Sequence, residues 1–123
     1  MNNEVINTGL EPGYYDIDEL MLHGCFALLC RYIEDEQDGA EALQNFIESI
    51  RNDEYTERQV ASDTEALSLY HWWKVERPEN LSNLDKLYIN SDFNEFNNLE
   101  NKILEDEQVN LKRLIDIRRA LWT

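Results

Sequence analysis

The residues best equipped for chemistry stand in one short run, His71-Trp72-Trp73-Lys74-Val75-Glu76-Arg77-Pro78. Neighbouring side chains on a helix project about 100° apart, so one indole can enter a core while the other lines a cleft. An indole face stacks on a base or a cation, and Lys, Arg or His beside it can hold a phosphate. A second set is Glu19, His23 and Arg31, at spacings of four and eight with the small Ala27 between them. Residues four apart share a helix face. The other positions from Leu20 to Ile33 are apolar or small, and an unpaired charge buried among them would be costly. The stripe therefore faces a polar pocket or is met by partners on other helices. A third set lies near the end, where Lys112, Arg113, Arg118 and Arg119 outweigh Asp116 for a local net of +3.

Together these sets predict a binding site for an anionic, nucleotide-like ligand. Trp72 or Trp73 would stack on the base, and Lys74, Arg77, Arg113 and Arg118 would neutralise phosphate. His23 would donate a hydrogen bond, with Arg31 and His71 alongside. So small a chain is expected to build such a pocket as a homo-oligomer. Each set also has a plain structural reading: aromatic core anchors, an internal polar network, and cations that complement a helix C-terminus.

Catalysis finds less support. Glu19 and His23 could place two metal ligands on one face, but His71 is the only other histidine, so no metal or other cofactor is expected. Glu105-Asp106-Glu107 lacks the paired E-x-x-E and E-x-x-D spacing that all-α nucleotide pyrophosphohydrolases use to hold magnesium. Cys25 and Cys30 are five apart on one helix, which points them to different sides and disfavours a disulfide. They read as buried small apolar residues in a reducing compartment, with no basic neighbour except Arg31 and no sign of an activated thiolate.

Charge limits the partners further. The chain of 123 residues carries Lys plus Arg 11 and Asp plus Glu 26, a net of −15. Direct nucleic-acid binding and an anionic membrane surface are both disfavoured by repulsion. From Glu34 to Glu57 nine acidic residues face only Arg51, a net of −8, and from Asp92 to Glu107 six face Lys102, a net of −5. Such runs are either solvated helix faces or an acidic surface that imitates a phosphate backbone and inhibits a basic host protein. This second function is the alternative to ligand sequestration.

The elements that must position these residues are helices. No stretch sustains period-two alternation, so the chain reads as all-α: a compact bundle of four to five helices around a central apolar N-terminal helix, in a single domain over 1–123 with an extended segment at 1–15. The first helix is expected over Asp16–Glu36, with Asp16 or Asp18 as its cap. A second runs over Ala40–Arg51. A third begins near Thr56, or at Ser62 with an S-x-x-E capping box, and ends before Pro78. Residues 79–90 are a loop or short helix, and 91–122 form one helix or two broken near Asp106. The expected core sets Trp72 or Trp73, Phe46, Phe93, Phe96, Leu114, Ile115 and Leu121 against the first helix. The opening residues lack the basic and apolar regions of a signal peptide.

Three blocks carry a resemblance: YYDIDELMLHGCFALLCRYIE, YHWWKVERP and the ending LKRLIDIRRALWT. In that order they resemble a family of small tailed-bacteriophage proteins with an initial W/Y-x-D, a W-W-K-x-x-R-P segment and an R-x-x-L-W-T terminus. The pattern falls here on Asp16, His23, Trp72, Trp73, Lys74, Arg77, Pro78, Arg118 and Trp122. The resemblance implies a phage source and the host cell cytoplasm as the setting; it carries no mechanism. In that setting the expected role is counter-defence, with the sequestered ligand a nucleotide-derived signal of host immunity.

Overall fold

The computed structural model describes residues 7–49 and 54–121, with only the backbone at 54–56. Arg51 and Trp122, which figure in the expectations above, lie outside the described residues. The described residues are helical and contain no strand. None of their helices is long and apolar enough to cross a membrane.

Helix α1 spans Ile17–Arg31 and widens into a π-turn over Tyr32–Glu36. Asp16 holds the N-cap position through its backbone, where its carbonyl accepts from Leu20 N at 3.0 Å. Its side chain makes no capping hydrogen bond, so Asp16, Asp18 and Glu19 act on the helix dipole instead. Asp38 (φ 59°) and Gly39 (φ 105°) then turn the chain in the left-handed region, and Gly39 N donates back to Ile33 O at 2.8 Å. A side chain at Gly39 would be strained there. Leu22, Phe26 and Leu29 form the buried stripe of α1, whereas Leu20, Met21 and Leu28 are exposed. A helix that is apolar almost all round is thus covered on one side only in a single copy of the chain.

Helix α2 (Ala40–Ser49) is short and packs through Leu43 and Ile47. Helix α3 (Glu54–His71), a π-turn at Trp72–Glu76 and helix α4 (Arg77–Ile89) follow one another without a break. Of the two expected starts of α3, the one near Thr56 lies within two residues of Glu54, whereas Ser62 is interior and its capping box is unused. Pro78 does not stop the helix either. Across the π-turn Arg77 N donates to Trp72 O, five residues back, and Pro78 enters at the first turn of α4. The wider turn relieves the clash that a proline ring makes with the preceding turn inside an α-helix.

Helix α5 runs unbroken over Phe93–Ile117, capped by Asp92, whose Oδ1 accepts from Glu95 N at 3.4 Å. The charged run near Asp106 stays helical because its charges have partners. Lys102 meets Asp106 at 2.7 Å one turn away, and Arg77 meets Glu107 at 3.4 Å across the α4–α5 seam. A 3₁₀ turn at Arg118–Ala120 follows.

The core gathers Leu22, Phe26, Leu29, Tyr32, Ile33, Leu43, Ala66, Leu69, Trp72 and Leu114, with Trp73 and Leu121 packed against it. Phe46, Phe93 and Ile115, expected inside, are exposed. Phe46 lies beside the Leu43–Ile47 stripe of a short helix, Phe93 opens α5 at the turn after α4, and Ile115 falls just off the Leu111–Leu114 side of α5. Phe96 is half-buried and meets Tyr88 at 6.0 Å between ring centres.

Candidate functional site

The first π-turn ends α1 and the second joins α3 to α4; the side chains that could do chemistry gather around the second. Trp72 is turned into the core, 5.3 Å from the Phe26 ring, and its indole N–H has no hydrogen-bond partner. Trp73 stacks on Phe26 at 4.7 Å with ring planes 15° apart. The His23 ring meets Trp73 edge-on at 4.9 Å. The guanidinium of Arg77 lies over Trp73 at 4.7 Å and reaches Glu107 at 3.4 Å. So His23, Trp73 and Arg77 do come together. However, an indole with a stacked phenyl and an overlying guanidinium has little face left for a base.

Burial lowers the His23 pKa from its ordinary 6.5, and the charge of Arg77 lowers it further, against a Thr8 backbone hydrogen bond and Glu19. The neutral ring is therefore favoured on folding. Its contribution to stability is full above the unfolded value and is lost as pH falls through the folded one. In an NMR titration His23 is expected to show a midpoint below 6.5, and Arg77→Met should raise it. A midpoint that ignores Arg77→Met would place the guanidinium's field elsewhere.

The other expected ligands disperse. Arg31 and Lys74 line a cleft of about 520 Å³ with Asn7, Thr8, Glu34, Asp35 and Trp73. Lys74 Nζ stands 3.4 Å from Glu34 Oε2, which also accepts from the Tyr70 hydroxyl at 2.6 Å. Arg113 lies on the α3–α5 seam, where it pairs with Glu65 and donates to Asn110 Oδ1 at 2.8 Å and Ser68 Oγ at 3.3 Å. Arg118 donates to Ile115 O at 2.8 Å, beside an apolar hollow of about 280 Å³. His71 is exposed, away from the Trp73 stack. Within one copy of the chain the cations do not converge on a single phosphate position. Those named here with carboxylate partners, Lys74, Arg77 and Arg113, are already neutralised.

A groove between the start of α1, α4 and α5 was not anticipated from the residue types. It encloses about 550 Å³, more than either other hollow. Leu22, Leu81, Leu84, Ile103, Leu104 and Leu111 form its floor, and Asp16, Asp18, Glu19, Glu100 and Glu107 its rims, with Arg77 as the one cation in its lining. The spacing Glu100, Ile103, Leu104, Glu107, Gln108, Leu111 is a helical stripe in which acids and leucines share one face. That pattern is the signal in the sequence that marks the groove. Among the described residues no group of three or more His, Cys, Asp or Glu side chains could hold a metal ion.

Burial pushes the Cys25 thiol up, and the Cys30 thiol up to about 11, with Lys74 opposing and Glu34 adding. Both thiols are free and half-buried, less covered than expected, and both stay protonated at neutral pH. They are poor nucleophiles. No family model, curated protein or solved structure matches the chain.

Proposed function

We propose that this is a non-catalytic interaction protein that captures a cationic protein partner in the groove between α1, α4 and α5. One observation carries the reading: five carboxylates and a leucine floor line the groove against a single guanidinium, which pairs with Glu107, so four carboxylates there stand without a cation in the groove lining. A phosphate entering there would meet the carboxylates, whereas an ammonium or guanidinium would be attracted. In the phage setting that the resemblance implies, the partner would be a basic host protein and the capture a means of inhibition. We take α1 as the organising helix of the bundle, since Phe26 on it stacks on the junction that holds Arg77 at the groove.

Charge reversal tests the reading. The double variant Glu19→Lys, Glu100→Lys should weaken binding of a lysine-rich peptide by about tenfold or more at low salt. Glu48→Lys on α2, outside the groove, should change it little. Wild-type binding should fall steeply with salt. Equal losses from the groove pair and from Glu48→Lys would reduce the attraction to bulk charge and sink the proposal.

A second reading keeps the anionic nucleotide, now in the cleft of Arg31, Lys74 and Trp73, which two of the expected cations line together with an indole. Cyclic oligonucleotides, ADP-ribose derivatives and NTPs at a hundred times their dissociation constant would then add about 2.7 kcal/mol of stability in a thermal-shift screen. A flat screen disposes of it.

A further inference from the structure

We infer that the element this groove takes is a cationic amphipathic helix of about three turns supplied by the partner; the inference rests on the reading above. The length follows from α5, where Glu100 to Leu111 covers roughly 17 Å at 1.5 Å per residue. The helical form follows from hydrogen bonding. Among the described residues there is no strand, so the groove walls are helices, and apart from the first turn of α1 their backbone groups are paired within them. An extended segment laid on that leucine floor would find no sheet edge to satisfy its own N–H and C=O groups, and burying them unpaired is costly. A helix arrives with its backbone satisfied, and presents apolar side chains at i, i+3, i+4 and i+7 to a groove built from the same spacing.

The charge of the occupant follows from the rims. Asp16, Asp18 and Glu19 stand on the α1 side and Glu100 and Glu107 on the α5 side, so Lys or Arg on both flanks of an apolar stripe would meet carboxylates on both. A second copy of this chain is a poor occupant, because it would bring a net charge of −15 to an acidic groove. Leu104 is the floor residue most open to an incoming side chain, at 57% exposure.

The test uses the full chain and three fluorescent Leu/Lys peptides of equal net charge, each about 14 residues long to match the groove. The length allows for about three turns on the groove and a frayed residue or two at each end. In the first the leucines follow helical spacing. The second has the same residues in strict alternation. The third is the first with a central proline. The first should bind about tenfold or more tighter than the other two and gain helical circular dichroism on binding. Leu104→Glu should weaken it by about tenfold, although it adds a negative charge that bulk attraction to a cationic peptide would welcome. Circular dichroism of the variant checks that this exposed position leaves the fold intact, and Glu48→Lys should bind as wild type does.

Equal binding of all three peptides would overturn the helix and leave the acidic reading standing. Wild-type affinity in Leu104→Glu would also overturn it, by removing the floor from the interaction. No binding of any peptide at low salt would bring down both.

Discussion

Phe26→Ala is expected to destabilise the protein by about 3–5 kcal/mol, the range for emptying a fully buried phenylalanine site. Phe26 is 0% exposed, and its ring is the shared neighbour of both tryptophans, stacked on Trp73 at 4.7 Å and tilted against Trp72 at 5.3 Å. The cavity would open where α1 meets the second π-turn, so collapse around it must move Trp73. Arg77 rests on Trp73 and holds Glu107, which ties the same loss to the shape of the acidic groove. Against a total stability of about 5–15 kcal/mol such a cost is a large share. Urea denaturation measures it directly. Phe26→Leu, which keeps most of the volume, should cost about 1.5 kcal/mol or less. A cost below about 1.5 kcal/mol for Phe26→Ala would mean that the junction repacks and that Phe26 does not hold it.

The helices were legible because their periodicity is strong and β-branched alternation is absent. The breaks were harder. Pro78 reads as a stop by every local rule, and only the five-residue hydrogen bond from Arg77 N to Trp72 O shows how the chain passes it. The Glu105–Glu107 run reads as a break until Lys102 and Arg77 are seen to balance it. Ser62 and Glu65 match a capping box in type and spacing, yet Glu65 pairs with Arg113 on α5. In each case the deciding partner lies across an interface, or in a hydrogen-bond register, that composition does not show. The core was misread at Phe46, Phe93 and Ile115 for a related reason: large apolar residues were counted as inside, although apolar atoms also cover much of any protein surface.

The candidate site divides along the same line. Chemistry alone groups His23, Trp73 and Arg77 around a ligand; no spacing in the sequence links His23 on α1 to the α3–α4 junction, where their side chains meet. Their conversion into a stacked and ion-paired junction was not readable either, because it depends on Phe26 beneath and Glu107 across the seam. The groove was missed because its acids belong to three separate stretches, Asp16–Glu19, Glu100 and Glu107. The first divides between a cap at Asp16 or Asp18 and the Glu19 stripe, and the others fall in a run that reads equally as a solvated face or as a surface imitating phosphate. Only the packing of α4 on α5 puts a leucine floor between them. The positive blocks that suggested a phosphate site are the parts the fold neutralises: Lys74 by Glu34, Arg77 by Glu107 and Arg113 by Glu65.

Tyr32→Phe is the second large effect expected, and its size should depend on pH. The Tyr32 hydroxyl donates to Asp63 Oδ1 at 2.7 Å in the core, and Gln59 Nε2 donates to the other carboxylate oxygen at 3.2 Å. Asp63 is buried with these two donors. Removing the hydroxyl leaves a buried carboxylate oxygen short of its donor, which costs about 1.5–3 kcal/mol near neutral pH. Burial, then the hydrogen bond to Asp63 and its charge, push the Tyr32 phenol well above its ordinary 10.0. In the unfolded chain the same phenol ionises near that ordinary value. Unfolding above it therefore releases a proton, and stability falls as pH climbs. The contribution of Tyr32 is full below about pH 10 and is lost as pH rises from there toward the folded value. The variant lacks this titration, so the gap between wild type and Tyr32→Phe should narrow between about pH 9.5 and pH 11.5. Lysines and the other tyrosines lose their charge balance in both proteins and drop out of the difference. Burial and the hydrogen bond to Glu34 also raise Tyr70, so Tyr70→Phe should narrow the gap in the same direction, by less because its carboxylate partner is exposed and screened. Urea denaturation at several pH values, read as the difference between the two proteins, checks the sign. A gap that stays constant through the alkaline range would show that Tyr32 ionises as freely in the folded protein as in the unfolded one, and that the buried pair with Asp63 does not hold its proton.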